Sequence, residues 1–115
     1  LVDVYKRQDI AAVITGSMRL AASANISPEG SFPSMFESVH GAAFDIAGKG
    51  IANPLATISA VGLMLDHLGE SEAARKVEGA VMQSLEERRV VTGDLGGNAS
   101  TKDVGDEVVR LISRQ

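Results

Sequence analysis

Apolar residues recur at helical spacing through the second half of the chain. Asn53-Pro54 opens a segment, PLATISAVGLMLDHL, that is apolar nearly all round and stops at Gly69. Asparagine is a favourable N-cap, and proline is tolerated at the first helical position, where an N–H has no intrahelical partner. The pattern predicts a helix over 54–68, buried on most of its faces. Over 71–89, Ala74, Val77, Val81 and Leu85 fall on one stripe of a second helix. Glu70 and Glu72 stand near its start and Arg88 and Arg89 near its end, which suits the helix dipole. A third helix begins after Ser100 or Thr101 and places Val104, Val108, Leu111 and Ile112 on one face. Between the last two lies TGDLGGNAS, a loop by its glycine, aspartate and asparagine content.

The first half is less regular. DIAAVITGS, from Asp9, predicts a short apolar helix ending at Gly16, where a left-handed backbone is cheap. Residues 20–26, LAASANI, predict a strand, and SPEGSFP a turn. SMFESV predicts a second strand, with Met35, Glu37 and Val39 on one side and Phe36 and Ser38 on the other. The opening LVDVYKRQ is mixed in character and carries no cap signal, so residues 1–8 read as a non-native leader to a unit spanning 9–115. A helix buried all round needs partners on several sides. Two amphipathic helices and two short strands supply too few, so the expectation is a piece of a larger fold.

Composition narrows the function classes. The chain is 44% hydrophobic and 23% charged, which is globular rather than disordered. Aromatics are only 3%, so the core must be aliphatic. A net charge of −4 speaks against nucleic acid or anionic membrane as the main partner, because both need a basic face. With no cysteine there are no disulfides and no thiolate metal sites. No segment approaches the roughly 18 apolar residues of a membrane span, and no signal-peptide pattern is present. The expected location is the cytoplasm.

The dense polar constellation is HGAAFDIAGKGIANP, residues 40–54, with one histidine, one aspartate and three glycines ahead of the apolar helix. A loop of this kind can wrap an adenosine. Glycines let backbone N–H groups approach, Ile46 can cover the sugar, and the Asp45 carboxylate can accept from both ribose hydroxyls. The same carboxylate repels a 2′-phosphate, which favours NAD over NADP. The alternative is a loop whose aspartate caps a turn and whose histidine is a surface residue. GKG without a third glycine is not a dinucleotide fingerprint. Asp9 is either the N-cap of its helix or a metal-bound carboxylate. A hard cation needs several oxygen ligands, and no second acid lies one turn before Asp9. His67 reads as decoration of a helix C-terminus and Asp94 as a turn former.

SANI…PSMFESVHGAAFDIAGKGIANPLAT, with DLGGNAST downstream, closely resembles the C-terminal part of the NAD-dependent β-decarboxylating dehydrogenases. That family comprises the isopropylmalate, isocitrate and tartrate/D-malate enzymes. The resemblance runs from Asp9 to the end, and SPEGSFPSMFE is most similar to the tartrate/D-malate branch. It implies an α/β fold class, this chain being a C-terminal segment of an isopropylmalate dehydrogenase-like fold with strands and three helices of the large domain. By motif, His40, Gly41 and Ala43 match the adenine-side loop. Asp45 and Ile46 match the ribose-binding pair of NAD users, and Asn53 matches the adenine-contacting asparagine. Asp9 matches the second aspartate of the pair that binds Mg²⁺ or Mn²⁺ with the substrate, while Tyr5 stands where the first belongs. Further departures are Ala42 and Phe44 in a family Ser-Ala-Pro stretch that keeps only Ala43, Ser38 in place of Pro, and Arg19 in place of a glycine.

The implied reaction is oxidation of a 2-hydroxy di- or tricarboxylic acid by NAD, followed by metal-assisted loss of the β-carboxylate. The Tyr and Lys acid–base groups, the substrate arginines and the other metal ligands have no counterpart in the matched stretch, so no catalytic residue is assigned. The implied partners are a small hydroxy acid and, for the full-length protein, a second copy in a homodimer. The alternatives are isopropylmalate dehydrogenase itself, or a non-catalytic nucleotide-binding regulatory subunit of the same fold.

Overall fold

The computed structural model describes residues 20–114. The expected helix from Asp9, the leader at 1–8 and the metal-ligand expectation for Asp9 lie outside them. The described elements are β1 (Ala22–Asn25), β2 (Met35–Ser38), α1 (Leu55–His67), α2 (Ser71–Glu87), a 3₁₀ turn (Gly93–Leu95) and α3 (Thr101–Ile112). The strands pair antiparallel, with Ala22 opposite Ser38 and Asn25 opposite Met35. The alternation expected in β2 holds: Phe36 and Ser38 are half-buried, while Met35 and Glu37 face solvent. The connecting turn carries Gly30 at φ +66°, a left-handed conformation that side chains disfavour. Its base is closed by the Ser27 N–H donating to Ser34 Oγ at 3.1 Å.

Local chemistry accounts for the helix ends. Asn53 Oδ1 accepts from the Leu55 N–H at 3.0 Å, and the Pro54 carbonyl takes the first helical bond, from Ile58, at 3.0 Å. The helix starts one residue later than expected, with Pro54 at the cap position, and Asn53 still satisfies the Leu55 N–H from just outside it. α1 ends in a Schellman motif: Gly69 has φ +86°, its N–H donates to the Asp66 carbonyl, and the Glu70 N–H donates to that of Leu65. α3 starts with a capping box, in which Ser100 Oγ accepts from the Asp103 N–H and the Asp103 carboxylate accepts from the Ser100 N–H.

The end of α2 differs from expectation. The helix stops at Glu87, so Arg88 and Arg89 lie beyond its last turn rather than within it. Arg88 is the left-handed residue that turns the chain, at φ +50°. Its guanidinium donates to the Leu95 carbonyl at 2.6 Å, and that bond helps hold a conformation costly for a residue with a Cβ.

α1 packs against both strands and against α2, and α2 packs in turn against α3. Gly62 of α1 faces α2, where an added Cβ would meet Val77 Cγ1 at 3.5 Å. The core joins Leu55 of α1, Ala80 and Val81 of α2, and Val104, Val108 and Leu111 of α3. Burying each leucine fully stabilises the fold by about 1.5–3 kcal/mol. The stripe expected on α3 faces this core, as do Val81 and Leu85 of α2, while Ala74 and Val77 of the same α2 stripe lie beside Gly62 of α1. α1 departs from the expectation of burial on most faces: Leu55, Ala56, Ala60 and Gly62 are buried, but Val61 and Leu63 are 42% and 44% exposed. The hairpin and α2 cover one side of α1, and nothing among the described residues covers the other.

Candidate functional site

The core sets the position of the loop before α1. Leu55, 1% exposed, is anchored between α2 and α3, so Asn53, two residues earlier, is held against the 3₁₀ turn that carries Asp94. Asn53 is the hinge of this arrangement. While its Oδ1 caps α1, its Nδ2 donates to Asp94 Oδ2 at 3.0 Å, across 41 residues of sequence. The other carboxylate oxygen of Asp94 accepts from the hydroxyl of Thr92, itself 1% exposed.

Upstream, residues 43–49 coil through successive tight turns, with the Ile46 N–H on the Ala43 carbonyl and the Lys49 N–H on that of Ile46, both at 3.1 Å. Ala43 itself is left-handed at φ +44°, as are Gly48 at +75° and Gly50 at +64°. This coil and residues 50–53 wrap a cavity of about 840 Å³ with a largely apolar lining. A cavity of that size lies within the roughly 300–1,000 Å³ usual for small-molecule sites. His40, Gly41, Ala43, Ile46 and Asn53 all line it, as do Asp94 and Thr101.

Five of the predicted site residues are therefore brought together on one wall. Asp45 is not on that wall; it stands exposed in the coil between Phe44 and Ile46. Phe44 beside it is 88% exposed. His40 is exposed, with Nδ1 3.1 Å from the Gly41 carbonyl oxygen. His67, expected to decorate a helix end, is the last residue of α1 and packs its ring 5.5 Å from that of Phe36.

Asp94 is the residue that sequence reasoning underrated. It does shape a turn, as expected, but it also lines the cavity and fixes Asn53. The available signal was the carboxylate in DLGG, and its meaning depends on a contact that local sequence does not encode.

The cavity combines an open stretch of backbone, apolar side chains and a few fixed polar atoms in its lining. Gly41 lies on its wall with no left-handed backbone, and a Cβ there would meet nothing within 4 Å. A side chain at 41 would meet none of the described residues, so the backbone there is open to close approach. Ala43 and Ile46 contribute to the apolar part of the lining, and Asp94 and Asn53 supply polar atoms. No group of three or more His, Asp or Glu able to hold a metal ion occurs among the described residues. None of the described helices is long and apolar enough to cross a membrane.

A sequence profile described as isocitrate/isopropylmalate dehydrogenase matches residues 7–108. The chain belongs to this family. Its members are oxidoreductases, and among them a 3-isopropylmalate dehydrogenase of Thermobifida fusca is 50% identical over 107 residues, 93% of this chain and 29% of its own length. An Agrobacterium vitis protein named "Probable tartrate dehydrogenase/decarboxylase" is 50% identical over 105 residues, 91% of this chain and again 29% of its own length. The crystal structure of isocitrate dehydrogenase from Methylococcus capsulatus superimposes with a TM-score of 0.82 at 44% identity, covering 93% of this chain and 31% of that one. The α/β fold expected from the resemblance is thus the family's own, and the chain spans under a third of the length of these relatives.

Proposed function

We propose that this chain supplies the adenosine-binding part of an NAD-dependent β-decarboxylating dehydrogenase. The substrate is a 2-hydroxy di- or tricarboxylic acid, with Mg²⁺ or Mn²⁺ as the metal and a homodimer as the working unit. The observation that carries the reading is the cavity shared by His40, Gly41, Ala43, Ile46 and Asn53, in a chain whose family match, residues 7–108, includes all of them. The glycine-rich wall admits backbone-close approach of the base and sugar, and Asn53, held by α1 and Asp94, presents a fixed amide to them. The bound cofactor supplies the hydride acceptor; the residues here bind and orient its adenosine end.

Asp45 is assigned the ribose hydroxyls. It sits beside the cavity wall in the coil that carries Ile46, and its exposed carboxylate is accessible to a sugar lying over that residue. SPEGSFPSMFE supports tartrate or D-malate as the substrate; the two relatives above, of different names, are equally similar and do not discriminate.

Calorimetric titration of the chain with NAD and NADP tests the assignment. NAD is expected to bind more tightly, and Asp45→Ala to weaken it by about 1.5–3 kcal/mol, the range for hydrogen bonds to a charged group. NADP affinity should change little. Unchanged NAD affinity in Asp45→Ala, with loss of NADP binding, would reverse the reading of this loop.

A further inference from the structure

The segment between the glycine coil and Asn53, residues 50–53, forms no helix or strand, yet it makes up part of the cavity wall. Two of its carbonyls are held by one distant residue. The Thr101 N–H donates to the Gly50 carbonyl at 2.8 Å, and Thr101 Oγ1 donates to the Ala52 carbonyl at 2.6 Å, across 49 residues of sequence.

Thr101 is the first residue of α3, where a backbone N–H has no intrahelical acceptor. The capping box of Ser100 and Asp103 satisfies the neighbouring donors, which leaves the Thr101 N–H to the loop. α3 itself is rigidly seated, because Val104, Val108 and Leu111 are each 2% exposed or less. A β-branched side chain at 101 also restricts χ1, so the hydroxyl is directed rather than free to rotate.

We infer that Thr101 is a positioning residue for nucleotide binding. Its paired bonds to Gly50 and Ala52 tie the cavity wall to the core-anchored end of α3 and hold Ile51, Ala52 and Asn53 in the binding conformation. The inference rests on the adenosine reading above. It adds a specific role for a residue that contributes through the loop. The Asn53–Asp94 bond provides a second attachment a few residues away, so the wall is held at both ends of the 50–53 segment.

The test uses the whole 115-residue chain and NAD. Thr101→Val removes the hydroxyl while keeping the backbone N–H and the β-branched shape. Its NAD dissociation constant should rise about fivefold, the loss of one ordinary hydrogen bond. Thr101→Ser restores the hydroxyl and should stay within about twofold of the unaltered chain, a rescue that a purely steric role would not produce. Equal NAD affinity in the valine variant overturns the inference.

Amide hydrogen exchange separates this outcome from failure of the adenosine reading. An unaltered chain that binds no NAD sinks that reading, while faster exchange at Ile51, Ala52 and Asn53 in Thr101→Val still upholds the tie, and unchanged exchange refutes it. If the valine variant does not fold, the unaltered chain decides: saturating NAD should slow exchange at Thr101 together with residues 51–53. A Thr101 amide indifferent to NAD overturns the inference.

Discussion

Gly97 lies where the loop after the 3₁₀ turn folds back against the chain leaving α2. A Cβ added there would stand 2.0 Å from the Val91 carbonyl oxygen, 2.7 Å from Val91 Cγ2 and 2.8 Å from the Val91 carbonyl carbon. The first and last of these are backbone atoms, so no side-chain rotation relieves the clash. The same Val91 carbonyl accepts from the Ala99 N–H at 3.1 Å, and the Gly97 N–H donates to the Thr92 carbonyl at 3.0 Å. Gly97→Ala must therefore push the loop outward and lengthen or break the Ala99–Val91 bond. Overpacking costs about 1–3 kcal/mol and the lost bond about 0.5–1.5. The stiffer unfolded chain offsets about 0.4–1 kcal/mol of that. The net is a destabilisation of about 0.5–4 kcal/mol. Because the 3₁₀ turn that carries Asp94 leads directly into this loop, nucleotide affinity should fall with it.

The matched control is Gly105→Ala, inside α3, where a Cβ meets nothing within 4 Å. There the same substitution should stabilise by about 0.5–1 kcal/mol, because alanine loses less backbone entropy in a helix. Urea titration of the chain, followed by far-ultraviolet circular dichroism, reads both. The midpoint should fall for Gly97→Ala and rise for Gly105→Ala, by amounts given by slopes of about 1–3 kcal/mol per molar urea. A midpoint for Gly97→Ala at or above that of the unaltered chain would refute the packing argument.

Asn53→Ala removes both the cap on α1 and the tie to Asp94, and should cost about 1–2 kcal/mol in the same titration. Asn53→Asp keeps a cap acceptor but sets two carboxylates together, so its failure to recover the loss identifies the Asp94 bond as the missing element; full recovery would argue against it. A third expectation concerns acid. Hydrogen bonds from the Ser100 hydroxyl and N–H hold the Asp103 carboxyl below its ordinary value of 3.8. A depressed folded value means the contribution is complete above the unfolded value and is lost as pH falls through the folded one. Helix content should thus be steady from neutral pH down to about 5 and drop below about 4, and Asp103→Asn should flatten that acid limb. An unaltered acid profile in the variant would remove Asp103 as its cause.

The sequence by itself determined the parts of this protein whose causes are local. The asparagine–proline start of α1, its glycine stop at Gly69, the Ser100 cap of α3 and the apolar stripes of α2 and α3 each depend on residues within a turn or two. The glycine-rich loop was legible for a related reason: its residue types lie contiguously between His40 and Asn53. Tertiary structure alone decided the rest. That Asp94 belongs to the site, and that Thr101 holds the carbonyls of Gly50 and Ala52, follows from docking α3 and its preceding loop against the start of α1. That docking is driven by burial of Leu55, Val104, Val108 and Leu111, which has no preferred sequence separation. The end of α2 at Glu87 was hidden likewise, since a bond from Arg88 to Leu95 stabilises a left-handed arginine that local propensity disfavours. The exposed side of α1 belongs with these. Periodicity reports that a face is apolar, while what covers it is a property of the packed chain.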